Sequence, residues 1–310
     1  MLILQQSKTL ASLLLLIFLG FIWGTGYSIA RFAMTHGVPP LGYSFWQSLG
    51  PAMVISLISC TQIKSIKLTT SHLRYYFICG LTGIVIPNTS MYFAAPHLPA
   101  SILAMVVNTV PVIAYPLALL TGLESFNWQR MAGVGLAFCG LMFLVLPKFS
   151  LPSHDMIPWV LSTLITPISF AVCSIYMARY RPTESDVFSL TAGMLIASSI
   201  LLSPLVFSTG NFYPFHFPLN MPEGVVVLEI LLSSIGYLLV FQLIKIAGPV
   251  YYSLVDSIVV LTGIFWGHII FSEHLNEWTR LAVGLILFAL LLVTRQQRSN
   301  ITPQLATPTG

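Results

Sequence analysis

Ten predominantly apolar runs follow one another along the chain, at 11–34, 40–60, 73–95, 99–121, 127–147, 156–178, 186–207, 223–246, 249–271 and 277–294. Each is close to the ~20 residues that an α-helix needs to cross a bilayer. Short connections rich in Pro and Gly separate them, such as His36-Gly37-Val38-Pro39-Pro40, His97-Leu98-Pro99 and Gly248-Pro249. Backbone N–H and C=O groups find no water in lipid, so only helices and closed barrels can span it. A barrel would alternate apolar and polar residues in segments of about 10, and the sequence contains no such segments. The charge content agrees: 13 Lys and Arg and 9 Asp and Glu make 7% of the 310 residues, against about 25% in soluble domains. So few charges cannot cover a water-facing surface, and the composition also excludes collagen-like, disordered and disulfide-scaffold chains. The prediction is an all-α integral membrane protein with ten transmembrane helices.

Basic residues orient this chain. With the N-terminus in the cytoplasm, the inner segments carry Lys8, Lys64, Lys67, Arg74, Arg130, Arg179, Arg181, Lys245, Arg295 and Arg298. The outer segments hold only Arg31, Lys148 and Arg280. This strong bias of positive charge to one side puts both termini in the cytoplasm. A net charge of +4 is too thinly spread to suggest a nucleic acid partner; the lipid bilayer is the expected one. Lys8 precedes an apolar stretch as in a secretory signal, but the stretch continues to about Ile29 without a small-x-small cleavage site, so a spanning helix is preferred. Cys60, Cys79, Cys139 and Cys173 stand inside apolar runs with no CxxC pair, and read as small buried hydrophobes rather than as a metal site or disulfide framework. No metal or cofactor is expected. Residues 208–222 form a longer external loop, rich in aromatics and prolines, that rests on the interface or partly covers an outer vestibule. Residues 299–310 read as a disordered cytoplasmic tail.

The two halves echo each other. Leu123-Glu124-Ser125-Phe126-Asn127-Trp128-Gln129-Arg130 recurs as Ser272-Glu273-His274-Leu275-Asn276-Glu277-Trp278-Thr279-Arg280, with one residue inserted. Each glutamate closes an apolar run that begins near Pro99 or Pro249, and each arginine opens another carrying Gly133 or Gly284. A repeat of five spans, an odd number, must insert its second copy upside down. The sequence therefore predicts two inverted five-helix repeats, 8–148 and 154–298. Inverted repeats are a common plan of secondary transporters, with the substrate bound near the midplane between them.

Several of these motifs resemble the drug/metabolite transporter superfamily, in particular its EamA-type members with ten helices. They are Phe21-Ile22-Trp23-Gly24 in the first run, Pro111-Val112 in the fourth, the Glu124 and Glu273 turns, and Gly236-Tyr237-Leu238-Leu239 through Ala247-Gly248-Pro249-Val250-Tyr251-Tyr252-Ser253. The similarity covers about residues 8–298, and the motifs are specific to the superfamily rather than to a substrate. The chain departs from internal symmetry where Pro111 faces Val260 and where Gly140 has no counterpart. The resemblance implies a secondary transporter, more often an exporter, of small polar metabolites or amino acids across the bacterial inner membrane.

A charge inside a bilayer costs about 2.5–3.5 kcal/mol on insertion scales, so each one needs a reason. Glu229 lies about 9 Å into the eighth run and Asp256 about 10 Å into the ninth. Desolvation favours the neutral form of a carboxyl group, so either can load and release a proton or hold a cation. The structural alternative is an ion pair or hydrogen bond, with Arg31 the available partner for Glu229 and Lys245 for Asp256. Helical spacing places Glu229, Ser233 and Tyr237 on one stripe, and Trp23, Tyr27 and Arg31 on another. Gly20, Gly24 and Ser28 form a small-residue face for close packing. Asn88 pairs with Tyr92, and Asn108 shares a face with Tyr115 and Pro111, which frees a backbone carbonyl. The candidate substrate contacts are thus Trp23, Tyr27, Asn88, Tyr92, Asn108, Tyr115, Ser233 and Tyr237; Asp256 and Glu229 are candidates for ion or proton coupling. Gly20, Gly24, Pro111, Gly133 and Gly284 read as hinge or packing positions, and Glu124 and Glu273 as caps of the helices that follow them.

The sequence contains no GxxxxGK[ST] loop, HExxH or GxSxG, so neither ATP hydrolysis nor an enzyme is expected. The expected function is a secondary transporter working by alternating access on a small-molecule substrate: an amino acid, an amine or a flat aromatic metabolite such as a vitamin. The alternatives are uptake by the same fold and a non-transporting membrane scaffold. A monomer and a homodimer are both compatible with Gly20-x-x-x-Gly24.

Overall fold

A computed structural model describes residues 2–61, 66–145, 153–183, 186–247, 252 and 254–295. Residues 248–251, the side chain of Lys245 and the tail 299–310 lie outside the described residues. Span 1 is Leu2–Thr35, span 2 Pro40–Thr61, span 3 Thr70–Ala94, span 4 Ala100–Leu120 and span 5 Trp128–Val145. Span 6 is His154–Tyr180, span 7 Val187–Ser208, span 8 Met221–Ala247, span 9 Val255–Phe271 and span 10 Glu277–Arg295. Spans 1, 3, 4, 6, 7 and 8 contain helices long and apolar enough to cross a membrane, and spans 5 and 9 are shorter apolar helices. The described residues contain no strand.

Helix starts follow local chemistry. Asp186 caps span 7 by accepting from the N–H groups of Phe188 and Ser189. Asn127 caps span 5 through Gln129 N–H at 2.9 Å, and Asn276 caps span 10 through Thr279 N–H at 2.8 Å. This corrects the capping roles expected of Glu124 and Glu273. A short amide next to the first turn reaches its N–H groups, whereas both glutamates turn to other partners.

Prolines interrupt spans 3 and 4. A π-helical turn at Leu81–Val85 precedes Pro87, which has no N–H to give the preceding turn. Span 4 breaks between Val107 and Val110, just ahead of Pro111. Asn108 steps into the gap by donating Nδ2 to the Ala104 carbonyl at 2.7 Å.

The main packing contacts follow a two-fold rule. Exchanging each span with the one five places later turns the 1–9 contact into 6–4, 1–8 into 6–3 and 2–8 into 7–3, and all six contacts are present. Pairs 2–7, 4–9 and 5–10 map onto themselves and are also present. The described spans run alternately from a proximal face, where span 1 begins, to a distal face and back. The two five-span repeats are therefore related by inversion.

Small residues bring these pairs together. A Cβ at Gly20 would lie 2.6 Å from Ile258, and one at Gly24 would lie 2.5 Å from Thr262, so span 9 fits against a groove in span 1. Gly133 and Gly140 do the same for span 10, a Cβ there lying 2.8 Å from Val293 and 2.9 Å from Ile286. Gly284 differs: nothing stands within 4 Å of its Cβ position, so it has no packing role of this kind. It lies on the side of span 10 turned away from span 5.

Candidate substrate site between the two halves

Polar side chains from both repeats meet at two levels. Counted from the distal ends of their spans, Tyr27, Gln47, Asn88, Asn108 and Glu229 all lie about 9–12 Å deep. Glu229 is 6% exposed and its Oε1 accepts from Ser233 Oγ at 2.8 Å. Across the repeat boundary its carboxylate lies against Gly26, where a Cβ would be 3.4 Å from Oε1. Gln47 stands beside both Glu229 and Tyr92, and accepts from Asn88 Nδ2 at 2.7 Å. Tyr43 and Tyr92 meet edge to face with centroids 4.7 Å apart, both within electrostatic reach of Glu229. Asn108 donates to the Tyr27 hydroxyl at 3.1 Å.

The second level is deeper, about 22 Å from the distal end of span 9, and centres on Asp256. Tyr27 and Tyr252 are within electrostatic reach of this carboxylate. Trp23 joins the level, meeting Tyr252 edge to face at 6.1 Å and lying against Gly236. The described helix of span 9 starts at Val255, which puts Asp256 in its first turn, near the positive end of the helix dipole. Tyr237 lies at about the same depth on span 8. The Trp23–Tyr27 stripe of span 1 thus connects the two carboxylate levels.

Arg31 is not the partner of Glu229. It sits about 6 Å from the distal end of span 1 and pairs with Glu273. The carboxylate of Glu273 also accepts from Ala100 N–H at 2.7 Å, Ser101 N–H at 3.1 Å and Ser101 Oγ at 2.5 Å. It therefore caps span 4, across the repeat boundary, instead of the span that follows it, and the Arg31 guanidinium lies 4.3 Å over the Phe271 ring. Among the described residues no Lys or Arg forms an ion pair with Glu229.

Tyr115 belongs elsewhere as well. Its hydroxyl accepts from Asn127 N–H at 2.7 Å and its ring lies 4.9 Å beneath Arg130, which in turn pairs with Glu124 at 2.9 Å. This fixes the turn before span 5 on the proximal face, and the partners of Tyr115 there belong to neither level. Pro111 lies at the start of the second segment of span 4, where no hydrogen bond from its nitrogen is needed. On the distal face, 209–220 folds over the start of span 2. Trp46 donates to the Tyr213 carbonyl at 2.7 Å, amid Phe45, Phe212 and Phe215.

Sequence reasoning missed Tyr43 and Gln47. Their i, i+4 spacing inside an apolar run is the signal that singled out Asn88 and Tyr92, and applied to span 2 it finds them.

A model of the EamA-like transporter family matches the chain twice, over 10–146 and 157–295. YvbV of Bacillus subtilis, named as an uncharacterized transporter, is 21% identical over 296 residues, spanning 96% of this chain and 95% of its own. Protein PecM of Dickeya dadantii is 24% identical over 277 residues, 88% of each chain. One crystal structure superposes with a TM-score of 0.60 at 18% identity, over 93% of this chain and 99% of that one, a likeness of fold. The double match coincides with the two packed repeats, and the chain belongs to the EamA-like transporter family.

Proposed function

We propose that this membrane transporter exports a small polar or amino-acid-like metabolite across the bacterial inner membrane by alternating access. The carrying observation is the convergence of polar side chains from spans 1, 2, 3, 4, 8 and 9 between the inverted repeats. In this reading the repeats rock about the polar levels, which open in turn to the proximal and distal faces. The bias of basic residues supports a cytoplasmic proximal face. Asp256 and Glu229 are the groups able to bind a coupling proton, since a desolvated carboxyl group exchanges protons where a solvated one stays ionised.

The test is an untargeted comparison of metabolites inside and outside cells with and without the protein, with an Asp256→Asn variant alongside. Accumulation of one compound outside only with the intact protein is the expected result. Its depletion from the medium would make the protein an importer of, for example, an aromatic metabolite or vitamin. If the variant transports normally at every pH, Asp256 does not couple protons. If no compound moves, transport gives way to a membrane scaffold.

A further inference from the structure

Glu229 has an unusual environment for an intramembrane carboxylate. Its Oε2 has no donor at full bonding distance although the residue is 6% exposed, its carboxyl group otherwise engaging Ser233 and Gln47, and the Tyr43 hydroxyl, on a residue 1% exposed, has no partner either. Buried polar atoms are normally paired, and each exception points to strain or to a missing group. The two side chains belong to opposite repeats and lie within electrostatic reach of one another, and both orphaned atoms can accept a hydrogen bond. Around them are the edge-to-face rings of Tyr43 and Tyr92 and, on the other side, the bare backbone of Gly26.

These features specify the missing group. An anion is repelled by Glu229, and among the described residues no Lys or Arg pairs with it to offset that repulsion. A hard divalent ion needs six or more oxygens, whereas Ser233 and the Asn88-bound Gln47 already engage much of the cluster. A protonated amine carries up to three donors and no acceptor, which suits two orphaned acceptors. Tyrosine faces add attraction for a cation and for a planar carbon frame.

We propose that Glu229 and Tyr43 hold the positively charged nitrogen of an amine-bearing substrate, with the Tyr43 and Tyr92 rings against its carbon frame. This rests on the transporter reading above and sorts the two carboxylates: Glu229 recognises the substrate, and coupling falls to Asp256.

The test uses the full chain purified in detergent and amine-free phosphate buffer, with thermal unfolding followed against a matched set of probes: phenethylamine, phenethyl alcohol and phenylacetate. Phenethylamine is expected to raise Tm in a saturable way, and the neutral and anionic analogues are not. In Glu229→Gln its apparent Kd rises at least about tenfold, the loss of a charge-assisted contact. Tyr43→Phe weakens binding about three- to tenfold, while its ligand-free Tm stays at or above that of the original protein because a buried orphan hydroxyl is gone. Three results overturn the proposal: equal response to all probes, an undiminished response in Glu229→Gln, or protection by sodium chloride that abolishes the amine effect. Binding is read without transport, so a failed metabolite comparison and a failed amine response remain distinguishable.

Discussion

Replacing Glu273 with alanine removes the acceptor that joins spans 1, 4 and 9 at the distal face. The Glu273 side chain is 9% exposed and that of Arg31 22%, so neither partner regains full hydration when the other is lost. Truncation leaves the Ala100 and Ser101 N–H groups and the Ser101 hydroxyl without their acceptor, at the positive end of span 4, and leaves the guanidinium facing Phe271. Breaking a buried pair by removing one partner costs about 3–5 kcal/mol, and the exposure of Arg31 argues for the lower end. Arg31→Gln should cost less, about 1–2 kcal/mol, since Glu273 keeps three donors from span 4. A double-mutant cycle should show a coupling of about 1–2 kcal/mol. The assay is reversible unfolding in mixed micelles by titration with a denaturing detergent, followed by tryptophan fluorescence. The predicted order is Glu273→Ala worse than Arg31→Gln. The reverse order would refute the reasoning, because it would make the ion pair, and not the capping of span 4, the main contribution.

Two further outcomes follow from the packing and the topology. Gly24→Leu should cost about 3 kcal/mol by forcing spans 1 and 9 apart, whereas Gly135→Ala, with nothing within 4 Å of its Cβ, should be neutral or stabilising by up to about 1 kcal/mol; equal stabilities in the same unfolding assay would contradict the described contact. In a cysteine-free background, a thiol reagent unable to cross membranes should label Leu219→Cys on intact cells and Phe126→Cys only after permeabilisation, both positions being exposed; the opposite pattern would invert the orientation and with it the cytoplasmic termini.

The ten spans and their pairing into two inverted repeats were legible because both depend on local quantities. Apolar run length decides what can cross lipid, and an odd number of spans per repeat decides the inversion. Helical periodicity also placed Glu229 with Ser233, and Asn88 with Tyr92, on common faces. Capping was misread because the sequence offers Glu and Asn a few residues apart, and only geometry tells which side chain reaches the first turn. Gly133 and Gly284 look alike in their repeats, yet one is packed against span 10 and the other is free.

The sequence by itself determined a ten-span membrane protein built as an inverted duplication, since hydropathy, charge bias and repeat length are properties of the chain alone. The tertiary structure decided who meets whom. It sent Arg31 to Glu273 instead of Glu229, withdrew Tyr115 to the Asn127 turn, and brought Tyr43 and Gln47 up to Glu229. The physical reason is that depth along a span can be counted from residue numbers, whereas rotation about the span and the choice of neighbour are set by packing between helices far apart in sequence.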